Sequence, residues 1–255
     1  MAKNVSREEL VDYLDEFLVA DATEDYCPNG LQVEGKARIE RLVTAVSACE
    51  ELFARAREQQ ADALLVHHGI FWKGDPQELT GFRFRRVRDL IAAELNLIAY
   101  HLPLDRHPEI GNNALAVRDY GLVDIVPFSP LLGEPVGFAG RFPEPLSVEA
   151  LLQRTAEIFQ QEPQHFAGGP DPVSTLAMVS GGAQRDVYKA IDAGYDVFVT
   201  GEVSEWVMNV AREAGIHYLA AGHYATERLG VRALGEHLAE RFGIDVHFVD
   251  IPNPV

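Results

Sequence analysis

The chain has 255 residues, 47% of them hydrophobic and 24% charged, enough apolar material to bury one large core or two modest ones. Its formal net charge of −17 repels phosphate backbones and disfavours nonspecific nucleic-acid binding, and no basic run offers a local exception. No apolar run approaches the length of a membrane span, and Cys27 and Cys49 form no CxxC pair, which excludes a disulfide scaffold.

A helix is predicted first, because Ser6 and Glu9 have capping-box spacing and Leu10, Tyr13, Leu14 and Phe17 share one face. The start has no basic region followed by an apolar block, so no signal peptide is read and a reduced cytoplasm is the expected location. After the turn-rich CPNG (27–30) come a strand at 42–48, a helix at 50–60 and a strand through ADALLVHH (61–68). A helix near 83–94 leads to the strand NLIAYH (96–101), the loop HLPLDRHPEIGN (101–112) and a helix at 112–120. The Pro- and Gly-rich region 128–145 marks a switch of domains. The first domain is therefore expected at 1–127, with the segment 243–255 packing back onto it, and the second at 128–242.

In the second half, Ser147 opens a helix (147–159), and the strand STLAMVS (174–180) meets Gly181-Gly182 and a helix at 186–194. The strand YDVFVT (195–200), a helix from about 204, the strand IHYLAA (216–221), a long helix at 225–242 and the strand IDVHFVDI (244–251) complete the chain. Strands alternating with helices predict mainly parallel α/β sheets.

Polar residues collect at the carboxyl ends of these strands, where open α/β sheets place their sites. They are His67 and His68 in VHHGIFW (66–72), His101 and Asp105 in HLPLD (101–105), and His223 and Glu227 in GHYATE (222–227). Adjacent strand residues point to opposite faces. The histidine pair therefore serves one ligand only if the chain turns there, or each ring serves a different centre. His223 and Glu227, four apart at a helix start, share a face, whereas Pro103 places His101 and Asp105 on a turn rather than a helix. Imidazoles and carboxylates with no cysteine nearby suit Zn, Fe, Mn or Co. A carboxylate such as Glu227 can bridge two ions, which lets one histidine of the pair serve each, and paired metals are a recurrent device for activating water. His107, His165, His217, His237 and His247 stay unassigned. Gly181-Gly182 reads as a tight turn ahead of an anion-binding one, since no Walker Lys-Ser/Thr follows. Phe71 and Trp72 are core or pocket wall.

As a set, CPNGLQVEG, HHGIFWKG, HLPLDRHPEIGNNALA, TGEVSEW, AGHYATERLGVRALGEHL and DIPNPV resemble the dinuclear metal-centre hexameric family. These are the NGG-one-interacting-factor-three-like proteins, often labelled GTP cyclohydrolase I type 2 homologues, and the short bacterial YbgI-type members match most closely. The resemblance runs nearly end to end. It implies two similar, interlocked α/β domains, a toroidal homohexamer and two divalent metal ions per chain. By the same resemblance His68 and Asp105 hold one ion, His67 and His223 the other, and Glu227 bridges them, while His101 matches a further family histidine placed behind the ligands; the sequence itself offers His101 as a proton shuttle. The implied activity is metal-dependent hydrolysis of a nucleotide or related small anionic substrate. The alternative is a metal carrier or regulatory metal-binding protein without turnover.

Overall fold

The computed structural model describes residues 3–255. The chain forms two compact units. The first comprises the residues up to Leu104 with Gly230–Ile251, and the second Asp105–Leu229 with Pro252–Val255. No helix among the described residues is long and apolar enough to cross a membrane.

The first unit holds a five-stranded sheet in the order Asp245–Phe248, Arg41–Ser47, Ala63–His68, Asn96–Ala99, Gly30–Val33. Among the described residues three of its four pairings are parallel, and only Gly30–Val33 runs antiparallel. The central strands read LVTAV and ALLVH and are buried at every one of those positions. Continuous apolar runs of this kind belong to strands covered on both faces. Leu52 and Phe53 of the helix Glu50–Glu58 and Leu90 of the helix Gly81–Ala92 pack with Val43, Leu64 and Leu97. Each such side chain contributes about 1.5–3 kcal/mol by leaving water. Ser6 caps the helix Arg7–Phe17 as its spacing predicts, its hydroxyl accepting from the Glu9 N–H at 3.1 Å.

Asp62 ties this sheet to its loops. Its side chain is only 13% exposed. One carboxylate oxygen accepts from Lys36 Nζ at 2.7 Å, and the other from the backbone N–H groups of Glu40 and Arg41 at 2.9 and 3.0 Å. Burial works to raise its pKa, but the Lys36 bond and the two N–H donors outweigh it and hold the carboxyl below its ordinary value. A depressed pKa contributes stability that is present above the unfolded-state value and is lost as pH falls through the folded one. Asp62→Ala is expected to cost about 2 kcal/mol at neutral pH, since it strands two backbone donors. The deficit should shrink in acid, where the native carboxyl is itself protonated. Urea midpoints of both proteins at neutral and strongly acidic pH measure this.

The second unit contains a six-stranded sheet in the order Val123–Leu131, Glu134–Leu146, Val173–Met178, Val197–Thr200, His217–Ala220, Gln164–Phe166. Here only two of five pairings among the described residues are parallel, so the mainly parallel expectation holds for the first sheet and not for this mixed one. The excess of antiparallel pairing comes from 128–145, which forms most of a long hairpin inside this unit. Proline donates no N–H, and Pro127 and Pro130 are accommodated because Val123–Leu131 is an edge strand with a ladder on one side only.

Two local expectations are corrected. The residues 102–106 form a short helix, Leu102–Arg106, rather than a turn. Pro103 falls in its first turn, where the missing N–H has no helical acceptor to lose. The long terminal helix is broken into His223–Thr226 and Arg228–Phe242, with Glu227 between them at φ −111°.

Candidate metal centre

In the first unit the strand Ala63–His68 delivers both histidines of the adjacent pair, with His67 fully buried and His68 half-buried at its end. Their side chains do not diverge as on a straight strand: the ring centroids are 4.7 Å apart. The chain leaves the sheet at His68, and the next residues, Gly69 and Ile70, turn against Gln32, whose Oε1 accepts from the Ile70 N–H at 2.9 Å. His101, at the end of the neighbouring strand, brings its ring centroid to 5.1 Å from His67 and 5.7 Å from His68. One nitrogen from each of the three rings lies within 4.8 Å of the others.

The hydrogen bonds select the tautomers. His67 Nδ1 meets the Tyr100 carbonyl at 3.0 Å, and His101 Nδ1 meets the Asp25 carboxylate at 2.7 Å. Both oxygens only accept, so each Nδ1 carries the proton and the lone pair of the neutral ring lies on Nε2. His68 Nδ1 is 3.0 Å from Ser47 Oγ. Imidazoles held at one nitrogen by an oxygen and presenting the other are the usual arrangement of metal-ligating histidine. Asp25 also accepts from the Leu102 N–H at 2.9 Å and from Asn29 at 3.0 Å. Burial raises its pKa, and the hydrogen bond from His101, with the charge that ring carries when protonated, overcomes this to hold it below its ordinary value. Cys27, which the sequence does not place near the histidines, offers its sulfur within 4.8 Å of His101 and Asp25. Burial, then the charge of Asp25, push its thiol up to about 12. Without a metal it is a neutral thiol, and Asp25, Cys27 and His101 form a further group of possible ligand atoms beside the three histidines.

In the second unit three carboxylates and one imidazole are built on different elements. Asp105 is 4% exposed, and its Oδ1 accepts from Asn112 Nδ2 at 2.8 Å and Ser180 Oγ at 3.2 Å. His223 starts the helix that follows the strand His217–Ala220. Its Nδ1 lies 2.6 Å from Glu202 and its Nε2 3.2 Å from Glu227, which is itself 3% exposed. The shared face expected of His223 and Glu227 is present although the helix breaks at Glu227. Burial opposes the charged imidazole, but Glu227 and then Glu202 outweigh it and push His223 up to about 9. A metal ion taking Nε2 has to displace that proton, so uptake weakens as pH falls.

The loop after Val173–Met178 supports this pair. The Gly181 N–H donates to Thr226 Oγ1 at 3.0 Å, and the Gly181 carbonyl accepts from Thr200 Oγ1 at 3.0 Å and the Gly201 N–H at 2.9 Å. With its N–H committed to Thr226, Gly181 takes the tight-turn reading. Asp25, Ser47, Asn112, Ser180 and Glu202, the groups that meet His101, His68, Asp105 and His223, are not singled out by sequence reasoning. Glu202 had a signal, since it lies in TGEVSEW at the end of Val197–Thr200. The serines and Asn112 had none, because their roles depend on contacts distant in sequence.

Two α/β units carrying buried imidazole and carboxylate groups, with clusters of His, Asp, Glu and Cys side chains that could hold a metal ion, are the arrangement of a candidate metal-binding protein. The chain belongs to the Duf34/NIF3 (NGG1p interacting factor 3) family, whose model matches residues 5–254. A relative from Vibrio cholerae serotype O1, named "GTP cyclohydrolase 1 type 2 homolog", is 48% identical over 249 residues, which are 95% of this chain and 96% of the relative. Among solved structures, protein ybgI, described as of unknown function, is 41% identical with a TM-score of 0.93, covering 98% of this chain and 100% of its own. TTHA1606 from Thermus thermophilus is 40% identical with a TM-score of 0.89, at the same coverage.

Proposed function

We propose that this protein holds two divalent metal ions per chain and hydrolyses a nucleotide or related small anionic substrate. In this reading His68 and Asp105 serve one ion, His67 and His223 the other, and Glu227 bridges them. The observation that carries it is the bonding of the imidazoles: Nδ1 of His67, His101 and His223 is engaged by a carbonyl or carboxylate, which prepares Nε2 as a donor. The relatives' cyclohydrolase naming supports the substrate class.

The chemistry a metal pair supplies is Lewis-acid activation of water and polarisation of the bond under attack. The chain's own residues position and transfer protons. Asp25 fixes the His101 ring, so that Nε2 of His101 is the atom available to accept a proton from an attacking water and return it to a leaving group. His101→Gln is then expected to lower turnover far more than metal content.

Elemental analysis of freshly purified protein, followed by a turnover assay across nucleotides, cyclic amides and phosphoesters with the found metal restored, tests the reading. Metal-dependent release of product is expected. A metal-replete protein that turns over none of these and hands its ions to a chelator within minutes is a carrier instead. His67→Ala and His68→Ala are each expected to empty one metal position and leave the other filled. If both variants lost the same ion, the division of the adjacent pair would be wrong. The proposed homohexamer is checked by light scattering, where six copies of the 28.2 kDa chain are expected and a monomer at micromolar concentration refutes it.

A further inference from the structure

The first unit contains a cavity of about 470 Å³, within the range of roughly 300–1,000 Å³ typical of small-molecule sites. It shares a wall with the histidine cluster. Trp72 lines it, and the Trp72 ring stands 5.2 Å from the His101 ring and 5.7 Å from that of His68. Asp25, which holds His101, lines it as well.

The lining combines two chemistries. Phe71, Trp72 and Phe82 offer aromatic faces, and Phe71 and Phe82 remain 36% and 46% exposed. Lys73, Arg83 and Arg86 bring positive charge to the same space. On the helix Gly81–Ala92 Arg86 lies four residues from Phe82 and three from Arg83, so it shares a face with each. Their neighbours are spoken for: Arg85 pairs with Glu50 at 3.0 Å and Arg88 with Asp89 at 2.7 Å. Arg83 and Arg86 have no carboxylate partner among the described residues, and their guanidinium carbons lie 4.9 and 5.3 Å from the Phe82 ring centroid. In a chain with 39 acidic and 22 basic side chains, two arginines without carboxylates beside a cavity run against the composition. Guanidinium groups bind phosphate oxygens in a fork, and aromatic faces bind planar rings.

We propose that this cavity binds a planar anionic ligand of nucleotide type, with its ring among Phe71, Trp72 and Phe82 and its phosphate on Arg83 and Arg86. The inference rests on the metal-hydrolase reading for what happens next, since Trp72 borders both the cavity and the rings of His68 and His101. Binding itself does not require turnover.

The probe is GMP, with guanosine and inorganic phosphate as partial ligands. The chain has two tryptophans, and Trp206 belongs to the second unit, stacked on Tyr188 at 5.3 Å, so Trp206→Phe leaves Trp72 as the reporter. GMP is expected to quench Trp72 saturably and more tightly than guanosine or phosphate alone, with affinity falling as salt rises. The double variant Arg83→Gln/Arg86→Gln should weaken GMP at least about tenfold, with metal content unchanged. Arg85→Gln/Arg88→Gln should change it less than about twofold, because those charges are already paired. Phe82→Leu, at an exposed position that leaves folding intact, should weaken GMP and guanosine alike. No saturable quenching, or equal GMP affinity in the Arg83/Arg86 variant, overturns the proposal. GMP binding that depends on Arg83 and Arg86 but no turnover of any nucleotide supports the cavity and sinks only the hydrolase reading. Turnover of an anionic substrate with KM unchanged in that variant sinks only the cavity.

Discussion

Glu227→Gln is expected to strip the protein of most of its bound metal, lowering affinity at both positions by at least about a hundredfold, or roughly 3 kcal/mol. The substitution keeps the shape of the side chain and removes its charge. Glu227 is 3% exposed and bonded to His223 Nε2, and a buried carboxylate in this setting is tolerated because cationic partners compensate its desolvation. As the proposed bridge it serves both ions, so a single neutralisation empties two positions where His67→Ala or His68→Ala empties one. Elemental analysis after dialysis against a weak chelator reads the result, and a thermal melt confirms that the variant is folded. Retention of two ions at the native affinity would remove Glu227 from the bridge.

Gly181→Ala is expected to have the second-largest effect, although Gly181 is not itself a proposed ligand. Gly181 sits at φ +65°, a left-handed conformation that costs a residue with a side chain about 1–2 kcal/mol. A Cβ there would also stand 2.3 Å from Glu227 Oε1 and 3.2 Å from His223 Nε2. Flexible carboxylates usually move aside, but Glu227 is buried and its Oε2 is paired with His223 Nε2 at 3.2 Å, so moving it disturbs that contact. Metal affinity should fall at least about tenfold, together with a stability loss of about 1–3 kcal/mol. Gly182→Ala is the matched control. Its Cβ would meet Glu202 at 3.4 Å, an ordinary contact, and the position is exposed, so a change within about 0.5 kcal/mol is expected. Equal metal content in the two variants would show that the close approach of the 181 loop does not position Glu227.

Much of this was legible without coordinates, for a physical reason that differs by element. The strands Arg41–Ser47 and Ala63–His68 announce themselves because fully covered strands need unbroken apolar runs. The helix Arg7–Phe17 does so because its cap and its period are both local. The histidines and carboxylates at strand ends were visible as residue types in an expected place, and the spacing of His223 and Glu227 was enough to set them on one face. The hairpin at 123–146 was not legible. Proline and glycine mark a linker and an edge strand equally well, and only the pairing partner distinguishes them. Pro103 misled in the same way, since its effect depends on whether it falls in the first turn of a helix or inside it.

What only the tertiary structure decided is the environment of each donor. That Asp25 holds His101, Ser47 meets His68 and Ser180 bonds Asp105 depends on residues 76, 21 and 75 positions apart. Sequence by itself determined which side chains can bind a metal, because that follows from the chemistry of imidazole and carboxylate. Which nitrogen carries the proton, which carboxylate is buried and which glycine leaves room for it follow from long-range contacts, and those exist only once the sheets have formed.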